Sequence, residues 1–228
     1  MLNLVLVSGG YDSTVLSRFI LKNKDNVVLY HCNFIDCNTS SQYYSFSILN
    51  REETLKFLNN KPENVDVLFS KISALKELDY DNIDGKIVRS SYIPSRNSML
   101  VLDAVNKVYG TYPKDTKITI YLGLIKTNPQ FPDGTIDWLN SINKLLEVEF
   151  GDRVHVECPF IDLDKDDVYK IGCELHVDLS TTFSCNYAID GKECGKCGNC
   201  LWRKKHTHIL QYPHLFACCI MQSLGWHD

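Results

Sequence analysis

The chain has 228 residues, 44% of them hydrophobic, with 24 lysines and arginines against 28 aspartates and glutamates. The formal net charge of -4 gives no general electrostatic attraction toward nucleic acid, and the length suffices for one well-buried core. No apolar run is long enough to span a bilayer and the first residues lack the basic flank of a secretion signal, so no membrane partner is expected and the expected compartment is the cytoplasm.

An apolar run with β-branched members at residues 2–7 predicts a first strand. It ends in Ser8-Gly9-Gly10-Tyr11-Asp12-Ser13, after which Val15, Leu16, Phe19 and Ile20 recur at helical spacing, so residues 13–23 read as a helix. A strand, tight loop and helix in that order form an anion seat. The first amides of a helix lack internal partners, the helix dipole is positive there, and glycines let a phosphate reach the bare backbone. Ser8 and Ser13 add hydroxyl donors. The lysine-bearing phosphate loop and the dinucleotide-binding glycine pattern are both absent.

Further strand-like runs occupy residues 27–34, 65–69, 118–123 and 153–157, and helical patterns occupy 41–59 and Arg96–Tyr109. Strands alternating with helices predict an α/β fold, a doubly wound parallel sheet whose ligands bind beyond the carboxyl ends of the strands. The polar stretch 79–91 reads as a loop near that site. Tyr92-Ile93-Pro94-Ser95-Arg96-Asn97 sets an arginine at a helix start, where it can clamp a phosphate through two parallel hydrogen bonds. Phe131-Pro132-Asp133 follows the fourth strand. Cys158-Pro159-Phe160 then leads into Asp164-Lys165-Asp166-Asp167, a lysine at a helix start, which is unfavourable unless an anion lies nearby.

Ten cysteines in a reducing compartment need a reason other than disulfides. Cys185, Cys194, Cys197 and Cys200 stand as C-x8-C-x2-C-x2-C, and two-residue spacings let thiolates converge on one ion. Four thiolates fill a tetrahedral zinc shell with no open position, which predicts a structural site; an iron–sulfur cluster is the alternative. Cys32, Cys37, Cys158, Cys173, Cys218 and Cys219 lack such spacing and read as small buried hydrophobes.

Residues 8–13 resemble the S-G-G-x-D-S loop of the ATP pyrophosphatase (PP-loop) superfamily. Taken in order with Ile93 to Asn97, Phe131 to Asp133, Pro159 to Lys165 and the four-cysteine loop followed by Arg203, the segments resemble the 7-cyano-7-deazaguanine synthases. The resemblance runs from the first strand to about residue 210. It implies a PP-loop nucleotide-binding domain over 1–180 with a zinc-binding region over 181–228 packed on it. It also implies an enzyme that forms C–N bonds, converting 7-carboxy-7-deazaguanine, ammonia and ATP to the nitrile with release of AMP and pyrophosphate, for queuosine or a related deazapurine. Carried over residue by residue, it assigns Ser8, Gly9, Gly10, Asp12 and Ser13 to the ATP phosphates, and Arg96 and Lys165 to phosphate-facing cations. Magnesium would bridge phosphate oxygens with Asp12 as its protein ligand, and Asp133 would read the guanine-like edge. The partners implied are these small molecules, with room for a homodimer.

Two segments depart from the family pattern. The Y-x-Q-R-H segment that follows the second strand in the family is replaced by Asn33-Phe34-Ile35-Asp36-Cys37-Asn38, and Lys126-Thr127-Asn128-Pro129-Gln130 lacks the acidic residue found before Y-P-D. An amide-forming ligase with another product or amine therefore stays open as an alternative. A tRNA sulfur transferase also stays open, although Arg203-Lys204-Lys205-His206 is the only dense basic run. A zinc-dependent nucleic-acid module would explain the cysteines but not the first strand and its loop.

Overall fold

The computed structural model describes residues 1–35, 65–73, 80–83, 86–89, 95–126, 132–185 and 192–210. Its main sheet has five strands, β1 (Leu2–Leu6), β2 (Val27–Ile35), β3 (Asp66–Ser73), β6 (Ile118–Tyr121) and β7 (Val154–Glu157), in the order β3-β2-β1-β6-β7. Every neighbouring pair is parallel, as a sheet built from strand–helix–strand crossovers requires. Strands β1 and β6 run in register from Leu2 beside Ile118 to Val5 beside Tyr121.

The helices are α1 (Tyr11–Asn23), α2 (Arg96–Tyr109), α3 (Ile136–Phe150), α4 (Lys165–Glu174) and α5 (Gly198–Leu210). β1 is buried on both faces, so its apolar run is continuous rather than alternating. Leu2, Leu4 and Leu6 face one core, shared with Val101, Ala104, Val105 and Val108 of α2 and with Ile142 and Leu146 of α3. Val5 and Val7 face the other, with Val15, Leu16 and Ile20 of α1 and Val168 and Tyr169 of α4. Each fully buried aliphatic side chain contributes about 1.5–3 kcal/mol of transfer free energy, so these two layers fix how the helices sit on the sheet.

From β1 the chain winds toward β2 and β3 on one side, and later toward β6 and β7 on the other. The carboxyl ends of β1 and β6 therefore flank a switch point, where the loops leave in opposite directions and a crevice opens.

Residues 79–91, expected as a loop, instead hold β4 (Tyr80–Ile83) and β5 (Lys86–Arg89), paired antiparallel from Tyr80 opposite Arg89 to Ile83 opposite Lys86. The sequence between them, Asp84-Gly85, is a favoured hairpin turn dipeptide, and antiparallel pairing satisfies main-chain groups that a polar loop would leave to water. Helices α3 and α5 were not among the elements read from sequence, and the helix expected over 41–59 lies outside the described residues.

Candidate functional site

A cavity of about 310 Å³ opens at the switch point, and Ser8, Gly10, Asp12, Ser13, Arg96 and Lys165 all line it. The junction after β1 is built from the backbone upward. Gly9 has φ +80, in the left-handed region, and its carbonyl accepts the Phe183 amide at 3.0 Å behind the cavity. Gly10 caps α1 in extended conformation and has no side chain with which to cap it. The Tyr11 amide donates to Ser184 Oγ at 3.2 Å, while the Ser8 amide donates to Ser13 Oγ at 3.2 Å and the two hydroxyls lie 3.0 Å apart. Small hydroxyl side chains thus hold the turn at the positive end of the α1 dipole.

Asp12 and Lys165 meet across this seat. Lys165 Nζ lies 3.2 Å from Asp12 Oδ2 and 3.1 Å from Asn199 Oδ1, and 5.1 Å above the Trp202 ring. Asp12 Oδ1 is buried with no hydrogen-bond partner among the described residues. α4 begins at Lys165, with its amino end closed by reciprocal bonds between Asp164 and Asp167. The carboxylates at that end, together with Asp12 and Asn199, offset the cost of a cation at a helix start.

Arg96 opens α2 next to Ser95, a non-glycine residue at φ +58, a conformation that costs on the order of 1 kcal/mol. Asp133 is buried and does not line the cavity. Its Oδ2 accepts the Asn97 amide at 3.1 Å, capping α2 from across the chain, and its carbonyl accepts Asn97 Nδ2 at 2.6 Å. Asn97, not Asp133, reaches the cavity wall.

Among the lining residues outside the sequence motifs are His31 and Cys32. His31, buried midway along β2 just past the level of the last residue of β1, holds Nδ1 2.7 Å from the Val7 carbonyl, which can only accept, so Nδ1 bears the proton. Burial pulls this imidazole below its ordinary range, although the Val7 bond opposes the shift, so it is neutral at pH 7. Beside it, burial pushes the Cys32 thiol up to about 11 and keeps it protonated. The signal available in sequence was only their place within the second strand.

The four cysteines converge as well. Their Sγ atoms all lie within 4.8 Å of one another, and Cys194 Sγ is 3.8 Å from Cys200 Sγ. Metal–sulfur bonds of about 2.3 Å in a tetrahedron put sulfurs about 3.8 Å apart, so the cluster is the right size for one ion. Backbone amides turn toward the sulfurs: Cys194 donates to Cys185 Sγ at 3.2 Å, and Cys197 to Cys194 Sγ at 3.3 Å. Burial pushes the Cys194 thiol up, but amides of Lys196 and Cys197 outweigh it and bring the group down to about 7. Burial, with the bond to Cys197, pushes Cys200 up. Arg203 ties this loop to the core, pairing with Glu193 at 2.7 Å and donating to the Leu179 and Thr182 carbonyls. Among the described residues no helix is long and apolar enough to cross a membrane.

The family model for the queuosine biosynthesis protein QueC matches residues 2–210. The chain is similar to the 7-cyano-7-deazaguanine synthase of Caldicellulosiruptor saccharolyticus, 29% identical over 206 residues that cover 87% of each chain. It is also similar to the 7-cyano-7-deazaguanine synthase of Pyrococcus abyssi, 28% identical over 228 residues covering 91% of this chain and 92% of the relative. That of Methanobrevibacter smithii is 26% identical over 217 residues, covering 89% and 91%. With nearly the whole length matched and its α/β fold ending in a four-cysteine cluster, the chain belongs to the QueC family.

Proposed function

We propose that the chain converts 7-carboxy-7-deazaguanine and ammonia to 7-cyano-7-deazaguanine at the expense of ATP. The observation that carries the reading is the gathering of the glycine–serine loop, Arg96 and Lys165 around one cavity at the switch point of the sheet. The relatives' name, 7-cyano-7-deazaguanine synthase, supplies the product class.

A carboxylate is a poor electrophile. Its oxygen attacks the α-phosphorus of ATP, the bond to the bridging oxygen breaks, and pyrophosphate leaves from an acyl adenylate. Ammonia then adds at the acyl carbon and AMP departs, leaving the amide. A second ATP takes the amide oxygen in the same way, and loss of that oxygen as AMP with two protons gives the nitrile. In each round negative charge builds on phosphate oxygens, so fixed donors and cations serve better than a strong acid or base.

In this reading Ser8, Gly9, Gly10, Asp12 and Ser13 form the phosphate seat. Lys165 and Arg96 face the phosphates from α4 and α2. Asp12 Oδ1, buried with no hydrogen-bond partner among the described residues, suits a hard cation such as Mg²⁺, which would neutralise phosphate oxygens. Asp133 acts in this reading through Asn97, whose main-chain amide and Nδ2 it holds so that Asn97 stands at the cavity wall where the guanine edge would lie. The four cysteines suit Zn²⁺ in a closed structural site, within a carboxyl-terminal region, 181–228, seated on the PP-loop domain 1–180.

Sulfur transfer to tRNA would call for a nucleophilic thiolate at the cavity, and among the described residues the cysteine that lines it is Cys32, whose thiol burial pushes up. Separation of the nucleotides formed from ATP and 7-carboxy-7-deazaguanine tests the reading. AMP that depends on the acid is expected, and ADP as sole product would overturn it.

A further inference from the structure

The four-cysteine loop and the phosphate-facing lysine are physically joined. Asn199 lies between Cys197 and Cys200, in the first turn of α5, and its Oδ1 takes a hydrogen bond from Lys165 Nζ at 3.1 Å. One turn further along α5, Trp202 puts its ring 5.1 Å beneath the same ammonium. That ring is itself held: its Nε1 donates to Asp166 Oδ1 at 2.6 Å, and it stacks on His206 with centroids 4.2 Å apart.

A lysine ammonium has three donors. Here one goes to Asp12 Oδ2 at 3.2 Å and one to Asn199, which leaves a third for an anion in the cavity that all three residues line. The amide oxygen of Asn199 is neutral, so it orients the ammonium without cancelling its charge, as a second carboxylate would. The Trp202 face adds attraction without occupying a donor. A flexible four-carbon stem that loses these partners must be ordered by the ligand alone.

We infer that Asn199 is a positioning residue for Lys165, so that the cysteine cluster, by fixing the first turn of α5, orients the cation that grips the triphosphate. This rests on the reading of Lys165 as phosphate-facing. It differs from a purely structural role for the cysteine loop because it ties that loop to ligand affinity at constant fold.

The test is calorimetric binding of α,β-methylene-ATP to the full, metal-loaded chain as wild type, Asn199→Leu, Lys165→Met and the double variant. Asn199→Leu should weaken binding about tenfold, the scale of one hydrogen bond to a charged group, with metal content and melting temperature unchanged. In the Lys165→Met background the same substitution should cost nothing, because contacting residues couple. Equal losses in both backgrounds, or no loss in either, would overturn the inference. Should the leucine variant lose metal, Asn199→Ala is read in its place. A wild-type chain that binds the analogue but makes no AMP from the deazaguanine acid would sink the proposed function and leave this inference standing. No binding at all would sink both.

Discussion

Gly123, just past the end of β6, stands against the backbone of Ser13: a Cβ at that position would lie 3.1 Å from both the Ser13 amide nitrogen and its Cα. The neighbouring atoms are main chain at the start of α1, which cannot turn aside as a flexible side chain would. The glycine lets β6 approach the phosphate seat closely enough to form one wall of it. Gly123→Ala should push the α1 amino end outward, raise the KM for ATP about tenfold, and cost about 1–3 kcal/mol of stability. Steady-state kinetics with a denaturation curve checks this, and an unchanged KM would show that the seat tolerates the extra methyl.

A second glycine has a different neighbour. A Cβ at Gly172 of α4 would fall 2.1 Å from Tyr11 Oη and 2.9 Å from Val15 Cγ2, where α4 packs on α1. Gly172→Ala should destabilise the fold by about 1–3 kcal/mol through overpacking. Adding Tyr11→Phe removes the nearest atom and should restore part of that loss, though Tyr11 Cζ and Val15 still crowd the site at 2.9 Å. Melting temperatures of wild type, Gly172→Ala, Tyr11→Phe and the double variant decide it.

For the cysteine cluster, elemental analysis should find one zinc per chain, and Cys197→Ser should lose it. Structural zinc contributes folding free energy directly, so the variant should melt earlier and lose protection from proteolysis first around 181–210. Visible absorbance from iron and sulfide in freshly purified protein would contradict the assignment.

His31 gives a pH dependence whose sign follows from its burial. Burial holds the folded imidazole below its ordinary value of 6.5, so between that value and the folded one the unfolded chain binds more protons. The neutral buried ring is accommodated fully above about pH 6.5, and stability falls as pH drops below it, until the folded value is reached. His31→Gln should therefore lose less stability than wild type between about pH 7.5 and about pH 5.5. Urea midpoints at the two pH values measure it, and equal losses in both proteins would assign the dependence elsewhere.

Much of the scaffold was legible because short-range chemistry wrote it. The run at 2–7 and the glycine–serine turn appear as β1 and the start of α1, and Arg96–Tyr109 is α2 with the bounds that its periodicity suggests. The cysteine spacing likewise foretold a cluster. α3 is legible only in retrospect: Thr135 caps it and Leu139, Ile142 and Leu146 recur at helical spacing toward the core, but no motif marks the segment. The β4–β5 hairpin was hidden by its polar composition, against the turn signal of Asp84-Gly85. Partnerships between distant residues left no trace at all. Asp133 with Asn97 and Lys165 with Asn199 are 36 and 34 residues apart in sequence, and only packing of the intervening elements brings them together.

Nitrile synthesis by this chain is tested by mass spectrometry of a reaction containing 7-carboxy-7-deazaguanine, ATP and nitrogen-labelled ammonia, with AMP counted against product. The expected result is labelled 7-cyano-7-deazaguanine with two AMP for each nitrile formed. A labelled amide accumulating with one AMP would mean that the second activation does not occur in this chain, and no product from the acid at all would contradict the proposed activity.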